Sequence, residues 1–242
     1  MIKKCVFTFP LVVLLSFAVS NVHAVNGYEI VAVGGSTPTI DGDLFPGEWT
    51  DADSILFNNT VVYAKQDGVN LYVAVSQAYA TVSEPNVTIL IDVEHDGSAS
   101  LQSDDIALWI YRNGTLGEAN VTAGAWTTTQ VSGWHAESGT EEFSWQAEFN
   151  ITYSKINIVA GVEKTIGIAF LRTGGAGQDV YTWPPSYWEV IENPSNWGDM
   201  TSTGHNWIPE FPSLLILPLF MTATLLAATL YRRKKSLVYR LS

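Results

Sequence analysis

An all-β fold, an antiparallel β-sandwich, is the class that this 242-residue sequence predicts. Three observations carry the prediction. Apolar and polar residues alternate with period two through most of the central chain, as in strands with one buried side. Gly, Asp, Asn and Pro stand between those runs, where turns need them. No segment between residues 25 and 208 carries apolar residues at helical spacing over three turns.

The strands can be taken in order. Val69, Leu71, Val73 and Val75 alternate with Asn70, Tyr72, Ala74 and Ser76. Val87, Ile89 and Ile91 alternate with Thr88 and Leu90, and Ile106, Leu108 and Ile110 with Ala107, Trp109 and Tyr111. Phe143, Trp145, Ala147 and Phe149 alternate with Ser144, Gln146, Glu148 and Asn150. Ile166, Ile168 and Phe170 alternate with Gly167, Ala169 and Leu171. Asp67-Gly68 is a two-residue turn signal. It predicts Gln66 opposite Val69 and Tyr63 opposite Tyr72. Val62, Ala64, Val69, Leu71 and Val73 then face the core, and the two tyrosines share the outer face. A meander would bring Trp109 and Tyr111 onto that face too. Trp145 falls on a core face, and Trp49 is expected to cover one end of the sandwich.

Both chain ends read as export signals. Lys3 and Lys4 precede an apolar run from Val6 to Val19, and Val22-His23-Ala24 offers a cleavage site, so residues 1–24 are read as a signal peptide. Cys5 is the only cysteine and lies within that leader. The mature chain therefore has no disulfide, thiol nucleophile or cysteine metal site. The ectodomain spans 25–208. A short stalk, 209–213, leads into an apolar stretch at 214–231, long enough to cross a bilayer. Arg232, Arg233, Lys234 and Lys235 open a basic tail, 232–242, that belongs in the cytoplasm and leaves the domain outside. Pro209-Glu210-Phe211, the apolar helix and the basic tail together resemble the archaeal PEF-type C-terminal sorting signal. That resemblance implies removal of the tail by a sortase-like protease and transfer to a lipid. A retained membrane helix is the alternative. Either way the expected location is the extracellular face of the cell membrane. Five Asn-x-Ser/Thr sequons, at Asn58, Asn86, Asn113, Asn120 and Asn150, fit a glycosylated exported domain.

Residues 25–210 hold five Lys and Arg against all 24 Asp and Glu, a balance of −19. Such a field repels nucleic-acid phosphates and suits neutral ligands or cations.

Several segments, in this order, carry a family likeness. They are Thr39-Ile40-Asp41-Gly42 with Glu48-Trp49; Asn70–Val75; Leu90–Ser98 with Asp104-Asp105; Trp145–Phe149; Gly161–Ala169; and Tyr181-Thr182-Trp183-Pro184 with Asn196-Trp197-Gly198. Over Ser36–Met200 the chain resembles the family 9 carbohydrate-binding modules and their DOMON-like relatives. The resemblance implies a DOMON-like β-sandwich. Members of this group bind sugars, bind haem, or have no known ligand. Haem-binding relatives use a Met and a His from well-separated parts of the chain. Here the ectodomain's one methionine, Met200, lies near His205, so no haem is expected.

Two local features suggest ligands. Asp92, Glu94 and Asp96 are spaced by two, Gly97 permits a turn, and Asp105 follows, so this loop offers oxygens to a hard cation such as Ca²⁺. Calcium is also implied by the likeness to family 9 modules. A solvated Asp-Gly turn is the alternative. Nine tryptophans supply flat faces on which sugars stack. The candidate contacts are Tyr63, Tyr72, Trp109, Tyr111, Trp126, Trp134, Trp183 and Trp188, with aromatic covering of sheet edges as the other explanation. Catalysis finds little support. Glu141-Glu142 and Asp104-Asp105 are adjacent in sequence, and a glycosidase needs carboxylates facing one another across a cleft. The expected function is a non-catalytic module for a polysaccharide or surface glycan, displayed on the cell surface. The alternative is a structural or adhesive envelope protein whose partner is another protein or a surface glycan.

Overall fold

The computed structural model describes residues 27–78, 86–140, 144–173, 180–185 and 189–202. The leader, stalk, apolar stretch and basic tail lie outside the described residues, as do Trp188, Glu141, Glu142 and His205.

Among the described residues, thirteen strands form one continuous, curled sheet whose two halves fold face to face. The first half, sheet I, contains β5 (Asn86–Asp92), β6 (Asp105–Tyr111), β7 (Leu116–Thr122), β8 (Ala125–Thr129), β11 (Thr165–Thr173), β12 (Val180–Trp183) and β13 (Gly198–Ser202). Sheet II contains β2 (Asp53–Phe57), β3 (Thr60–Gln66), β4 (Asn70–Ala78), β9 (Trp134–Thr140) and β10 (Ser144–Thr152). β1 (Glu29–Gly34) joins them. The order is β8-β7-β6-β5-β11-β13-β1-β3-β4-β10-β9, with β12 on β11 and β2 on β3.

The joining strand corrects the expectation of a purely antiparallel sandwich. Glu29–Ala32 pairs in parallel with Asp199–Ser202, and Val33 and Gly34 then pair in parallel with Lys65 and Gln66. A strand that changes partner midway makes one curled sheet out of two layers.

Alternation sorts the faces as expected. Ile89, Ile91, Leu108, Ile110, Ile166, Ile168 and Phe170 from sheet I meet Val62, Ala64, Leu71, Val73, Trp145, Ala147 and Phe149 from sheet II in one buried core. Strand period and burial thus agree, and this apolar interface is the main stabilising term.

The β3–β4 hairpin differs from the sequence reading by two residues. Gln66 stands opposite Leu71, Tyr63 opposite Ala74, and Tyr72 opposite Lys65. The turn sits one residue further along, at Gly68-Val69, with the Asp67 N–H donating to the Asn70 carbonyl at 3.3 Å and the Asp67 carboxylate accepting the N–H groups of Val69 and Asn70 at 2.9 Å each. Val69, expected in the core, is pushed to the tip and is 65% exposed. A two-residue shift preserves side-chain parity, so Tyr63 and Tyr72 still face outward. Trp109 and Tyr111 do not share their face, because β6 belongs to the other sheet.

Strands β7 and β9 show why alternation alone missed them. β7 turns Glu118 inward, where a hydrophobic residue would be expected. Its carboxylate accepts Lys155 Nζ at 2.5 Å, Trp134 Nε1 at 2.8 Å and the Ser132 N–H at 3.1 Å. Burial pushes the Glu118 pKa up, but these donors together hold it below the usual carboxylate value. The charge is thus compensated where the free ends of the curled sheet approach each other.

Candidate functional site

The two outer faces are covered in different ways. On sheet II the segment 35–52 lies across β3, β4 and β10 as a strap. Glu148 Oε2 accepts the N–H groups of Asp41 and Gly42 at 3.1 and 2.9 Å, and Oε1 accepts Trp49 Nε1 at 2.9 Å. Gln146 Oε1 accepts the Leu44 N–H at 2.8 Å. Lys65, fully buried, donates to the Glu48 carbonyl and to Asp51 at 3.0 Å, with its ammonium 4.9 Å from the centre of the Trp49 ring. Gly42 has φ +90°, and a Cβ there would overlap the backbone of Ser138 and Gly139, so the strap can approach the sheet only with glycine at this position. Trp49 is therefore the centre of this cover, packed with Tyr72 and Ala74, and not the plug of a sandwich end that the sequence suggested. Between strap and sheet runs a groove of about 250 Å³ lined by Phe45, Pro46, Trp49, Thr50 and Tyr63.

On sheet I the cover is smaller and apolar. A short helix, α1 (Glu189–Glu192), and a 3-10 turn at Pro194–Asn196 place Val190 and Trp197 against Leu90, Ala107, Ala119, Val121, Ala169 and Leu171. Trp126 is half-buried beside them, its Nε1 donating to the Ile191 carbonyl at 3.1 Å. Beyond this cover two rungs of the sheet continue. Leu171, Thr88, Trp109 and Gly117 stand side by side on one, and Thr173, Asn86 and Tyr111 on the next. Thr88, Trp109, Asn86, Tyr111 and Thr173 are all half-buried. A Cβ at Gly117 would overlap Cε2, Cζ2 and Nε1 of Trp109 almost equally. The indole therefore lies flat on the bare backbone of β7. This rung offers a planar ring, and the next carries Tyr111 and Asn86 beside Thr173, whose hydroxyl donates to Asn86 Oδ1 at 3.1 Å and accepts the Asn86 N–H at 2.9 Å.

The remaining aromatic candidates are occupied by packing. Tyr72 is 1% exposed and donates to Asp67 at 2.6 Å, and burial followed by that carboxylate pushes its pKa up to about 12. Trp134 is buried, stacks on Phe149 with ring centres 6.1 Å apart, and donates to Glu118. Trp183 is buried between Tyr28 and Phe170. All three are buried: Trp134 and Trp183 belong to the main core, and only Tyr72 is an outer position, covered by the strap.

The acidic loop converges on a different set from the one predicted. Carboxylate oxygens of Asp92, Asp104 and Asp105 lie within 4.8 Å of one another. Glu94 instead accepts from Asn157 Nδ2 at 3.0 Å, and Asp96 from Gln102 Nε2 at 2.8 Å. Asp92 and Asp105 are each 1% exposed. Burial, helped by the neighbouring carboxylates, raises the Asp92 pKa and pushes Asp105 up to about 7. Backbone N–H groups of His95, Gly97 and Gln102 orient the two side chains. His95 Nε2 lies 2.9 Å from Asp199, beside the cluster.

The sequons divide. Asn58 and Asn113 are exposed in turns, whereas Asn86, Asn120 and Asn150 are half-buried in strands. The Oδ1 atoms of Asn120 and Asn150 are buried without a partner.

No protein-family model and no curated protein matches the sequence. Solved structures do. The chain is similar to a family 9 carbohydrate-binding module from Caldicellulosiruptor kristjanssonii in complex with cellotriose, at TM-score 0.55 and 19% identity, over 73% of this chain and 94% of that one. The same kind of module from that organism in complex with glucose aligns at TM-score 0.54 and 19% identity, covering 73% and 96%. At this identity the likeness establishes a shared fold, that of family 9 carbohydrate-binding modules.

Proposed function

We propose that the ectodomain is a non-catalytic carbohydrate-binding module displayed on the outer face of a cell membrane, with its sugar site on the open rungs of sheet I. One observation carries the placement. Trp109 lies flat on Gly117, with Thr88, Asn86, Tyr111 and Thr173 around it. A pyranose ring buries its C–H face on such an indole and is oriented by hydrogen bonds from the surrounding polar groups. The solved neighbours carry cellotriose and glucose on the same fold, which supports a neutral sugar as the ligand class. The test is retention of residues 25–208 on insoluble neutral polysaccharides, read against Trp109→Ala. Loss of retention in the variant is expected. Equal retention of the two proteins would remove the site from sheet I, and no retention of either would end the carbohydrate reading.

The export signals, the five sequons and the −19 balance support extracellular display, with attachment through the 214–231 stretch or through a lipid after sorting. Asp92, Asp104 and Asp105 fit a calcium ion, which wants six to eight oxygens and tolerates bidentate carboxylates. Two buried acids with raised pKa values gain most from such a charge. The ion's part here would be structural, tying the end of β5 to the start of β6.

A further inference from the structure

A small cavity sits where β1 changes partner. Ala32 pairs with Ser202 of β13, and two residues later Gly34 pairs with Gln66 of β3. Near this switch lies a space lined by Ala32, Gln66, Leu71, Tyr153, Ile166 and Ser202, among others. Its volume is about 10 Å³. A single water needs roughly 10–15 Å³ measured in this way.

Two polar atoms at this cavity have no partner in the protein, Gln66 Nε2 and Ser202 Oγ. Both residues are buried, at 1% and 4% exposure. Gln66 is held so that it cannot turn away. Its Oε1 accepts Tyr153 Oη at 2.9 Å and the Gly68 N–H at 2.7 Å, which leaves the amide hydrogens of Nε2 pointing elsewhere. Lys164 also lines the cavity, and its ammonium donates to the Asn157 carbonyl at 3.3 Å, so the space disfavours a cation. An occupant must be no larger than one heavy atom and able to accept from the Gln66 amide and to share a hydrogen bond with the Ser202 hydroxyl.

We propose that one structural water occupies this cavity, accepting from Gln66 Nε2 and exchanging a hydrogen bond with Ser202 Oγ. It links β13 of sheet I to β3 of sheet II where β1 passes from one to the other.

Ser202→Ala in the full chain tests the proposal, because it deletes an oxygen that has no protein partner. If that oxygen holds a water, its removal costs a hydrogen bond and strands the amide of Gln66. The melting temperature then falls by about 2–4 °C, the shift expected for the loss of one such bond in a domain of this size. If the oxygen is simply buried and unpaired, its removal leaves the melting temperature unchanged or raises it. High-resolution diffraction from the unaltered protein supplies the second reading, a density peak within hydrogen-bond distance of Gln66 Nε2 and Ser202 Oγ. An unchanged or raised melting temperature overturns the proposal, and so does the lack of a peak.

Discussion

The outer faces of the two sheets meet the same need by opposite means, and the contrast bears on where a ligand can bind. Sheet II is covered by a strap of irregular backbone, whose N–H groups must find acceptors once water is excluded. The sheet supplies them from Glu148 and Gln146, while Lys65 and Asp51 tie down the rest. Those polar side chains are consumed by the cover. Sheet I is covered by Val190 and Trp197, which bury apolar area and ask for little hydrogen bonding from the sheet beneath. Thr88, Tyr111 and Asn86, the last bonded to Thr173, are left at the margin beside a flat indole. A polar cover thus spends the groups that recognition would use, and an apolar one spares them.

The largest effect should come from breaking the strap. Glu148→Ala strands two buried donors and one half-buried donor, and a loss of about 3–5 kcal/mol in unfolding free energy is expected by denaturant titration. At temperatures where this variant stays folded, sugar affinity should be unchanged. A parallel loss of affinity would show that the strap groove, and not sheet I, holds the ligand.

Trp109→Ala acts on the other face. It should weaken sugar binding by about 2 kcal/mol, roughly 30-fold in Kd, when measured by calorimetry or affinity electrophoresis. Gly117→Ala is the subtler probe. Its methyl lifts the indole off the sheet, and overpacking of this kind costs about 1–3 kcal/mol of stability. A tilted ring should also lose several-fold in affinity, with the aromatic surface itself intact. Full affinity in this variant would mean that the flatness of the ring is irrelevant.

The smallest effect concerns the acidic cluster, at the far end of sheet I from the open rungs. Asp105 has its folded-state pKa raised to about 7 from 3.8. Its contribution to stability is therefore complete below about pH 4 and is lost as pH rises through 7. With chelator present, the melting temperature should fall over that window, and Asp105→Asn should flatten the slope. Calcium in excess should restore several degrees at pH 8. A melting temperature indifferent to both chelator and calcium removes the ion from the account.

The sequence revealed the parity of β3, β4, β5, β6, β10 and β11, and with it most of the core, because burial on one face writes itself directly into period two. It could not reveal pairing between distant strands. Trp109 and Tyr111 were legible as outward-facing, but their separation from Tyr63 and Tyr72 depends on β11 and β13 standing between the two halves. Trp134 and Trp183 failed for a related reason, since their burial depends on Phe149, Tyr28 and Phe170 from other parts of the chain. Glu118 hid a strand, because an inward carboxylate reads as outward until Lys155 is brought to it. In the acidic loop the local spacing favoured Glu94 and Asp96. The folded loop selects Asp104 instead, through the pairing of Asp92 with Asp105 across β5 and β6.

The joining strand also has a mechanical meaning. β13 is the last described strand before the C-terminal residues, and it is gripped on both sides, by β1 in parallel and by β11 antiparallel. Tension drawn along the strand from Ser202 loads these two ladders in shear, so their hydrogen bonds must yield together and cannot peel one at a time. The first described strand starts beside the same place, with Glu29 level with Asp199. Pulling on the C-terminal side therefore pits the whole curled sheet against the load. For a domain tethered at that end and gripping a fixed polymer through its far face, this is the direction in which it would have to hold.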